Sequence, residues 1–287
     1  MAGRCGGALP HAGNNDLAAL GARLSDLCAA AARGDTAMTP FLTPREAREA
    51  TRCLAARLRV GTALLVGGYP GAERVRAILL PDYLEGLADP RELSADPVVA
   101  LAAAGFEEVA AAISAAVVPV RIKGSGYRVL SHRDYLGALL HLGLERDAIG
   151  DILPMSDDEA IVLTGVGMAA FLEDNLTHIA SDVVRVTRMP TDTPLTYERR
   201  LDPIHDTVAS PRLDCVVAAL CNLSRDRAQT AVRGGLVELD YETVQSCDVE
   251  VKPPSTISVR GYGKFAVHSI GGETRKGRLR LSAGKYL

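Results

Sequence analysis

The sequence predicts an α+β chain, with a helical and ferredoxin-like N-terminal half and a separate C-terminal unit in which a helix pair precedes short strands. Three observations carry that prediction. Residues 117–186 run strand, helix, strand, helix, strand, which suits a small ferredoxin-like sheet. Residues 210–235 hold two short amphipathic helices, separated by Asn222-Leu223 and stopped by Gly234-Gly235. Between these segments, from Met189 to Thr207, Pro, Thr, Asp and Arg crowd a stretch with few apolar residues, which reads as a linker. The expected domains are 1–115, 116–190 and 207–287, with a linker over 191–206.

Taken in order, Leu17, Leu20, Leu24 and Leu27 place a helix over about Asp16 to Arg33. Thr43-Pro44 supplies an N-cap and a first-turn proline for a second helix, ending near Leu58. Thr62 to Val66 reads as a buried strand, Gly67 to Gly71 as a turn, and Ile78-Leu79-Leu80 as a further apolar run. Val98 to Gly105 and Glu107 to Ala116 are apolar with little punctuation. Val117 to Ile122, Ala160 to Leu163 and Val183 to Val186 read as strands, and Met168 to Ala180 as a helix. Ser131 and Asp134 form a capping box that opens another helix. In the C-terminal unit, Leu236 to Leu239, Val249 to Val251 and Ile257 to Val259 are short strands.

The helix pair carries the functional signal. Leu213, Val216, Val217, Leu220 and Cys221 commit one face of the first helix to a core, leaving Arg212 and Asp214 at its solvent-facing start. Ser224 caps the second, whose first turn brings Arg225 and Arg227 beside free backbone N–H groups and the positive end of the dipole. Such a corner attracts phosphate. Arg233 closes the same helix. The bland alternative is an ordinary helical hairpin with a solvated basic face.

Charge supports an anionic partner once it is divided along the chain. The whole molecule carries a net charge of −3, but residues 210–287 hold 12 Lys and Arg against 8 Asp and Glu, and the rest is acidic. From Arg260 onward seven basic residues, including Lys264, Arg275, Lys276 and Arg278, face Glu273 alone. The strongest positive field is expected there. With 287 residues and 47% hydrophobic content the chain is globular. Cys5, Cys28, Cys53, Cys215, Cys221 and Cys247 lack ligand spacing, so they read as reduced small hydrophobes and no metal is expected. No apolar run approaches the ~18 residues that span a bilayer, and Met1 to Asn15 lacks a signal-peptide core.

Arg-Leu-Asp at 212–214, the apolar helix, Ser224-Arg225-x-x-Ala228, and the glycines with strands beyond resemble the S4-type (αL) RNA-binding domain. Phe41-Leu42-Thr43-Pro44, Gly67 to Arg74 and Ser131 to Ile152, in that order before it, are similar to the YlmH family of bacterial S4-type proteins. The ending Gly277 to Leu281 and Tyr286-Leu287, with Val183 to Val186, resembles the cyanobacterial and plastid branch known as photosystem II S4 domain proteins. The resemblance implies an RRM-like unit and an S4-type module. It also implies binding to structured RNA on the large ribosomal subunit, with tRNA, in translation quality control or rescue. The implied compartment is the cytoplasm, or the plastid stroma in the photosynthetic branch. Arg212, Asp214, Ser224, Arg225, Arg227, Arg233, Arg260, Lys264, Arg275, Lys276 and Arg278 are the expected RNA-binding residues, with Arg74, His132, Arg133 and Arg146 as accessory contacts. Glu238 and Asp240 stand where the family carries basic residues, and they would repel phosphate. Few aromatics are available for stacking, so backbone and shape readout is expected, without DNA specificity.

Motifs suggestive of catalysis carry little. His132-Arg133-Asp134 echoes a kinase catalytic loop, but Leu139 stands where that loop needs its asparagine. Arg212-Leu213-Asp214 also echoes the triplet of pseudouridine synthases, yet no second copy exists for catalysis; Asp214 orients Arg212 or caps the helix. Gly165 to Ala170 fits a dinucleotide turn, but the next acidic candidate, Asp192, lies beyond Pro190. Gly67 to Arg74 is a turn with a phosphate-cradle look and no Lys-Ser/Thr. No catalytic residue and no cofactor are therefore expected. Two rival readings stay open: an RNA-modifying or nucleotide-dependent enzyme using the Gly165 turn, and a photosystem assembly scaffold with weakened RNA affinity.

Overall fold

The computed structural model describes residues 14–86, 90–191 and 193–286. Contacts divide it into two compact units, Met1–Tyr197 and Glu198–Leu287. The first unit opens with α1 (Asn14–Ala32), whose Leu20, Leu24 and Ala31 pack on the next helices and strands. Strand β1 (Ala37–Met38) follows, then α2 (Pro44–Cys53), α3 (Ala55–Val60), β2 (Ala63–Val66) and β3 (Arg76–Leu79). Thr43 and Glu46 close a capping box at the start of α2, with Pro44 in its first turn. The three strands pair antiparallel in the order β1-β3-β2. The unpunctuated apolar stretches become α5 (Pro97–Ala103) and α6 (Glu107–Ala116), after α4 (Pro90–Ala95).

The same unit continues as β4 (Val118–Gly124), α7 (His132–His141), β5 (Ile149–Pro154), β6 (Glu159–Thr164), α8 (Val166–Asn175), β7 (His178–Ile179) and β8 (Asp182–Arg188). Its sheet runs β5-β6-β4-β8-β7, every pair antiparallel. Strand β5 is an addition to the expected order. Gly150 and Asp151 break its apolar pattern, and the buried Asp151 is made tolerable only by donors from elsewhere in the chain. Val120, Ile122, Ala160 and Val162 on one face pack against Tyr135 and Leu139 of α7 and Ala169 and Leu172 of α8. On the opposite face Leu153, Ile161 and Leu163 share a core with Phe41, Ile78 and Ile113. The boundary drawn at residue 115 therefore crosses a continuous hydrophobic cluster.

In the second unit, β9 (Leu201–Val208) precedes α9 (Leu213–Leu220) and α10 (Arg225–Arg233). Strands β10 (Val237–Leu239), β11 (Glu242–Thr243), β12 (Ser255–Val259), β13 (Gly263–Glu273) and β14 (Leu279–Tyr286) complete a sheet ordered β11-β10-β12-β13-β14-β9. Residues 201–206, read as linker, belong to β9. Its polar composition and Pro203 suit a strand at the sheet edge, where one row of backbone groups needs no partner. Val249 to Val251 is not a strand. Arg212 and Glu250 form an isolated bridge there, while the Leu213 N–H donates to the Val249 carbonyl at 2.8 Å. Val216, Val217 and Leu220 of α9 and Ala228 and Val232 of α10 pack on Ile257, Phe265 and Leu281 of the sheet.

Among the described residues the cysteines are free, no group of three or more His, Cys, Asp or Glu is placed to hold a metal ion, and no helix is long and apolar enough to cross a membrane. Cys5 and Asp192 lie outside the described residues.

Candidate nucleic-acid interface

Asp214 organises the helix pair. It stands in the first turn of α9, fully buried, and four donors converge on its carboxylate. Arg212 Nε and the Cys215 N–H donate to Oδ1 at 3.1 and 3.0 Å. Arg225 Nε and Gln229 Nε2 donate to Oδ2 at 3.2 and 2.9 Å. Burial alone would raise this carboxyl's pKa. The hydrogen bonds from Gln229, Arg212 and Arg225 outweigh that and hold it well below the usual carboxylate range. Each arginine is gripped through Nε and remains 39% (Arg212) or 57% (Arg225) exposed, so the outer edge of each guanidinium faces solvent. Two planar cations are thereby fixed side by side, with less rotamer freedom to lose when an anion arrives.

Ser224 caps α10 by accepting the Arg227 N–H at 3.4 Å, and Asn222 adopts the left-handed conformation that turns the chain between the helices. Arg227 is exposed on the first turn of α10, and Arg233 is exposed on its last turn. The Arg260 N–H donates to the Leu236 carbonyl at 2.9 Å, which puts Arg260 at the corner where α10 ends.

The basic C-terminal segment does not form one patch. Lys264 opens β13 and Arg275 and Lys276 lie beyond its far end, so the nine residue steps from Lys264 to Glu273 separate them by ~30 Å. Lys264 sits over the rings of Tyr241 and Tyr286 at 4.9 and 4.8 Å. Arg278 donates to the hydroxyl of Thr207 at 2.8 Å and also to its carbonyl, tying the last hairpin to β9. Thr207 is five residues before Arg212, a span of at most ~18 Å, so Arg275, Lys276 and Arg278 are at the sheet end nearer the Asp214 cluster. Glu238 alternates with Val237 and Leu239, which pack on the core beneath the helices, and so it occupies the other sheet face. Asp240 has φ +50° and accepts the Thr256 N–H at 2.8 Å; it is a turn residue. Neither acid stands against the arginines of the helix pair.

Arg74 and Arg146 are not surface contacts. Arg74, 8% exposed, donates to the carbonyls of Ile149, Phe41 and Arg146 at 2.9, 2.9 and 3.1 Å. Arg146 donates to the carbonyls of Ile149 and Gly150 at 2.8 and 3.1 Å, and burial with the nearby Arg74 charge pushes its pKa down to about 10. The turn with the look of a phosphate cradle is already filled by a carboxylate of the chain itself. Asp151 accepts the N–H groups of Glu73 and Arg74 at 2.7 and 3.2 Å and the Tyr69 hydroxyl at 2.7 Å. His132 and Arg133 are exposed on the first turn of α7, above the capping box of Ser131 and Asp134.

At the Gly165 turn, β6 pairs antiparallel with both neighbours, so the crevice of a parallel sheet that receives dinucleotides is absent there. The Arg76 guanidinium lies against Gly165 and stacks on Phe41, 4.5 Å from the ring centre.

One basic surface escaped the sequence reading. Arg121 and Lys123 of β4 and Arg185 of β8 are exposed on the sheet face opposite α7 and α8, with Lys123 directly across from Arg185. Strand alternation is the signal that would have found them, because Val120, Ile122, Val184 and Val186 occupy the intervening positions.

The helix pair thus presents two arginines held by one buried carboxylate, on an α+β scaffold of two units. Residues 22–84 match the family model "YlmH, N-terminal", and residues 120–193 match the model "Putative RNA-binding domain in YlmH". The chain is 30% identical over 245 residues, 85% of each chain, to "Ribosome-associated protein quality control protein P2" of Bacillus subtilis (strain 168). It belongs to the YlmH family. A solved structure described as "Cell division protein ylmH from Streptococcus pneumoniae" matches 66% of this chain and 100% of its own, with 17% identity and a TM-score of 0.43.

Proposed function

We propose that the chain is a non-enzymatic, ribosome-associated RNA-binding protein. In this reading the second unit is an S4-type (αL) module and the β4 to β8 sheet is an RRM-like unit. Its target is structured RNA of the large subunit, with tRNA, in translation quality control or rescue, and its compartment is the cytoplasm. The observation that carries the reading is the pair of outward guanidiniums held by Asp214. Arg227, exposed on the first turn of the same helix, and the hairpin carrying Arg275 and Lys276 add positive charge suited to phosphates spaced along a stem. The family model over residues 120–193 and the name of the Bacillus subtilis relative support the same class of partner.

Sequencing RNA crosslinked to the full chain in its native cell tests it. The expected result is enrichment of large-subunit rRNA and tRNA over total RNA. Crosslinks distributed like cellular RNA abundance would remove the ribosomal reading.

A further inference from the structure

We propose that the open half of the β4 to β8 sheet, together with the loop after β4, is a second RNA surface, and that it takes an unpaired strand. This inference deepens the RNA reading and rests on it. On this sheet face β5 and β6 are covered, since Leu153, Ile161 and Leu163 pack with Phe41, Ile78 and Ile113. The strip left open is β4 and β8, and it is basic. Arg121 and Lys123 share one acid, Glu159, at 3.2 and 3.5 Å. Arg185 stands opposite Lys123 and forms no ion pair with any described residue. Residues directly across an antiparallel pair have Cβ atoms about 5 Å apart, and like charges there are destabilising. An anionic ligand would relieve that repulsion.

The loop beyond Lys123 supplies what phosphate contacts lack. It is anchored at both ends: the Gly124 N–H donates to the Asp158 carbonyl and the Leu130 N–H to the Asp157 carbonyl, each at 2.7 Å. Asp182, 2% exposed, accepts the Ser125 N–H at 3.3 Å and the Ser125 hydroxyl. A Cβ on Gly124 would sit 2.6 Å from Asp182 Oδ2, so the close approach that pins the loop requires glycine. Between the anchors Tyr127 is 89% exposed and Val129 66%, and Val183, two residues before Arg185 on β8, is 59% exposed. An aromatic ring held out by a fastened loop that follows directly on the strand of Arg121 and Lys123, two cations sharing one acid, matches the demands of a splayed nucleotide. The ring stacks a base while Lys123, Arg185 and Arg121 take successive phosphates. A duplex hides its base faces and would leave Tyr127 unused. The two surfaces thus divide the work, with the helix pair holding a stem and this strip holding an unpaired segment.

The test measures binding of the full chain to a labelled 12-residue oligouridine and to a labelled stem-loop, with thermal melts of each variant. Tyr127→Ala and Arg185→Ala alter exposed side chains and are expected to melt like wild type. Each should weaken oligouridine binding at least about fivefold and leave the stem-loop within twofold, while Arg225→Ala does the reverse. Wild-type affinity for the stem-loop with none for oligouridine overturns the proposal and leaves Tyr127 and Val129 as a protein contact. Unchanged oligouridine binding in both variants, or equal loss on both RNAs, also overturns it. Failure of wild type to bind the stem-loop while it binds oligouridine would instead sink the helix-pair reading and leave this surface standing.

Discussion

Arg225 Nε donates to Asp214 Oδ2 at 3.2 Å across eleven residues of chain, so the first turns of two successive helices are locked through one carboxylate. Arg212 shares that carboxylate from the other side. The arginines are therefore a coupled pair, and their effects on binding should not be independent.

Removing either guanidinium should weaken stem-loop binding without unfolding the second unit. Arg225→Ala and Arg212→Ala are each expected to cost about 1.5–3 kcal/mol of binding and to lower the slope of log affinity against log salt by about 1. Fluorescence anisotropy at several salt concentrations reads both. Wild-type affinity in both variants would show that the phosphates sit elsewhere.

Asp214→Asn makes the protein more positive and yet should bind RNA less tightly, because both arginines lose the anchor that aims them. The expected loss is at least as large as that of Arg225→Ala. Tighter binding by Asp214→Asn, as total charge alone would give, would rule out the orienting role.

The same residue sets a pH dependence. A carboxyl held below its unfolded value of 3.8 stabilises the fold fully above that value, and the contribution fades as pH falls toward the lower folded value. Asp214→Asn should therefore cost about 1.5–3 kcal/mol near neutral pH. Below about pH 4 the gap to wild type should narrow, which denaturant melts of the two proteins across that range would measure.

Arg74→Ala should fail as a folding variant rather than as a binding variant. Its removal leaves the Phe41 carbonyl without its buried donor, at about 1–3 kcal/mol, and takes one of two donors from each of the Ile149 and Arg146 carbonyls. Arg133→Ala, altering an exposed first-turn residue, should stay within about 0.5 kcal/mol of wild type. A stable Arg74→Ala protein with weakened RNA binding would restore Arg74 to the surface.

Glu238→Lys should change stem-loop affinity by less than about twofold, because Glu238 is on the sheet face away from α9 and α10. Asp240→Ala should cost about 1–2 kcal/mol of stability, since alanine is strained at φ +50°, while Asp240→Asn should be tolerated. Strong RNA gains from either charge change would put the stem on that sheet face.

Local chemistry was the legible part of this chain. The Thr43 cap with its first-turn proline, the Ser131 capping box, the Ser224 cap and the apolar stripe of α9 are each encoded within a few residues, and the structure has them all. Arg212 and Asp214 are two residues apart, so their bond could be anticipated. The Arg225 and Gln229 bonds to the same carboxylate could not, because they depend on how two helices cross. Burial of Arg74 was hidden for a like reason: an arginine in a glycine-rich turn looks exposed until residues near 41 and 149 close over it. Strand β9 was masked by its edge position, where a polar strand and a linker share a composition. Lys123 and Arg185 are 62 residues apart, and only the register of β4 on β8 brings their charges together.

The core that runs through the back of the β5 and β6 sheet bears on autonomy. A fragment cut at the matched boundaries, 120–193, would lay bare Leu153, Ile161 and Leu163 and strip Asp151 of the donors from Tyr69, Glu73 and Arg74. Excised, it would carry a greasy flank and an orphaned internal acid. What sequence comparison delimits as a module is thus not a unit of folding here, and insertion, transplantation or truncation at its borders should be judged by solubility before any loss of binding is credited to RNA.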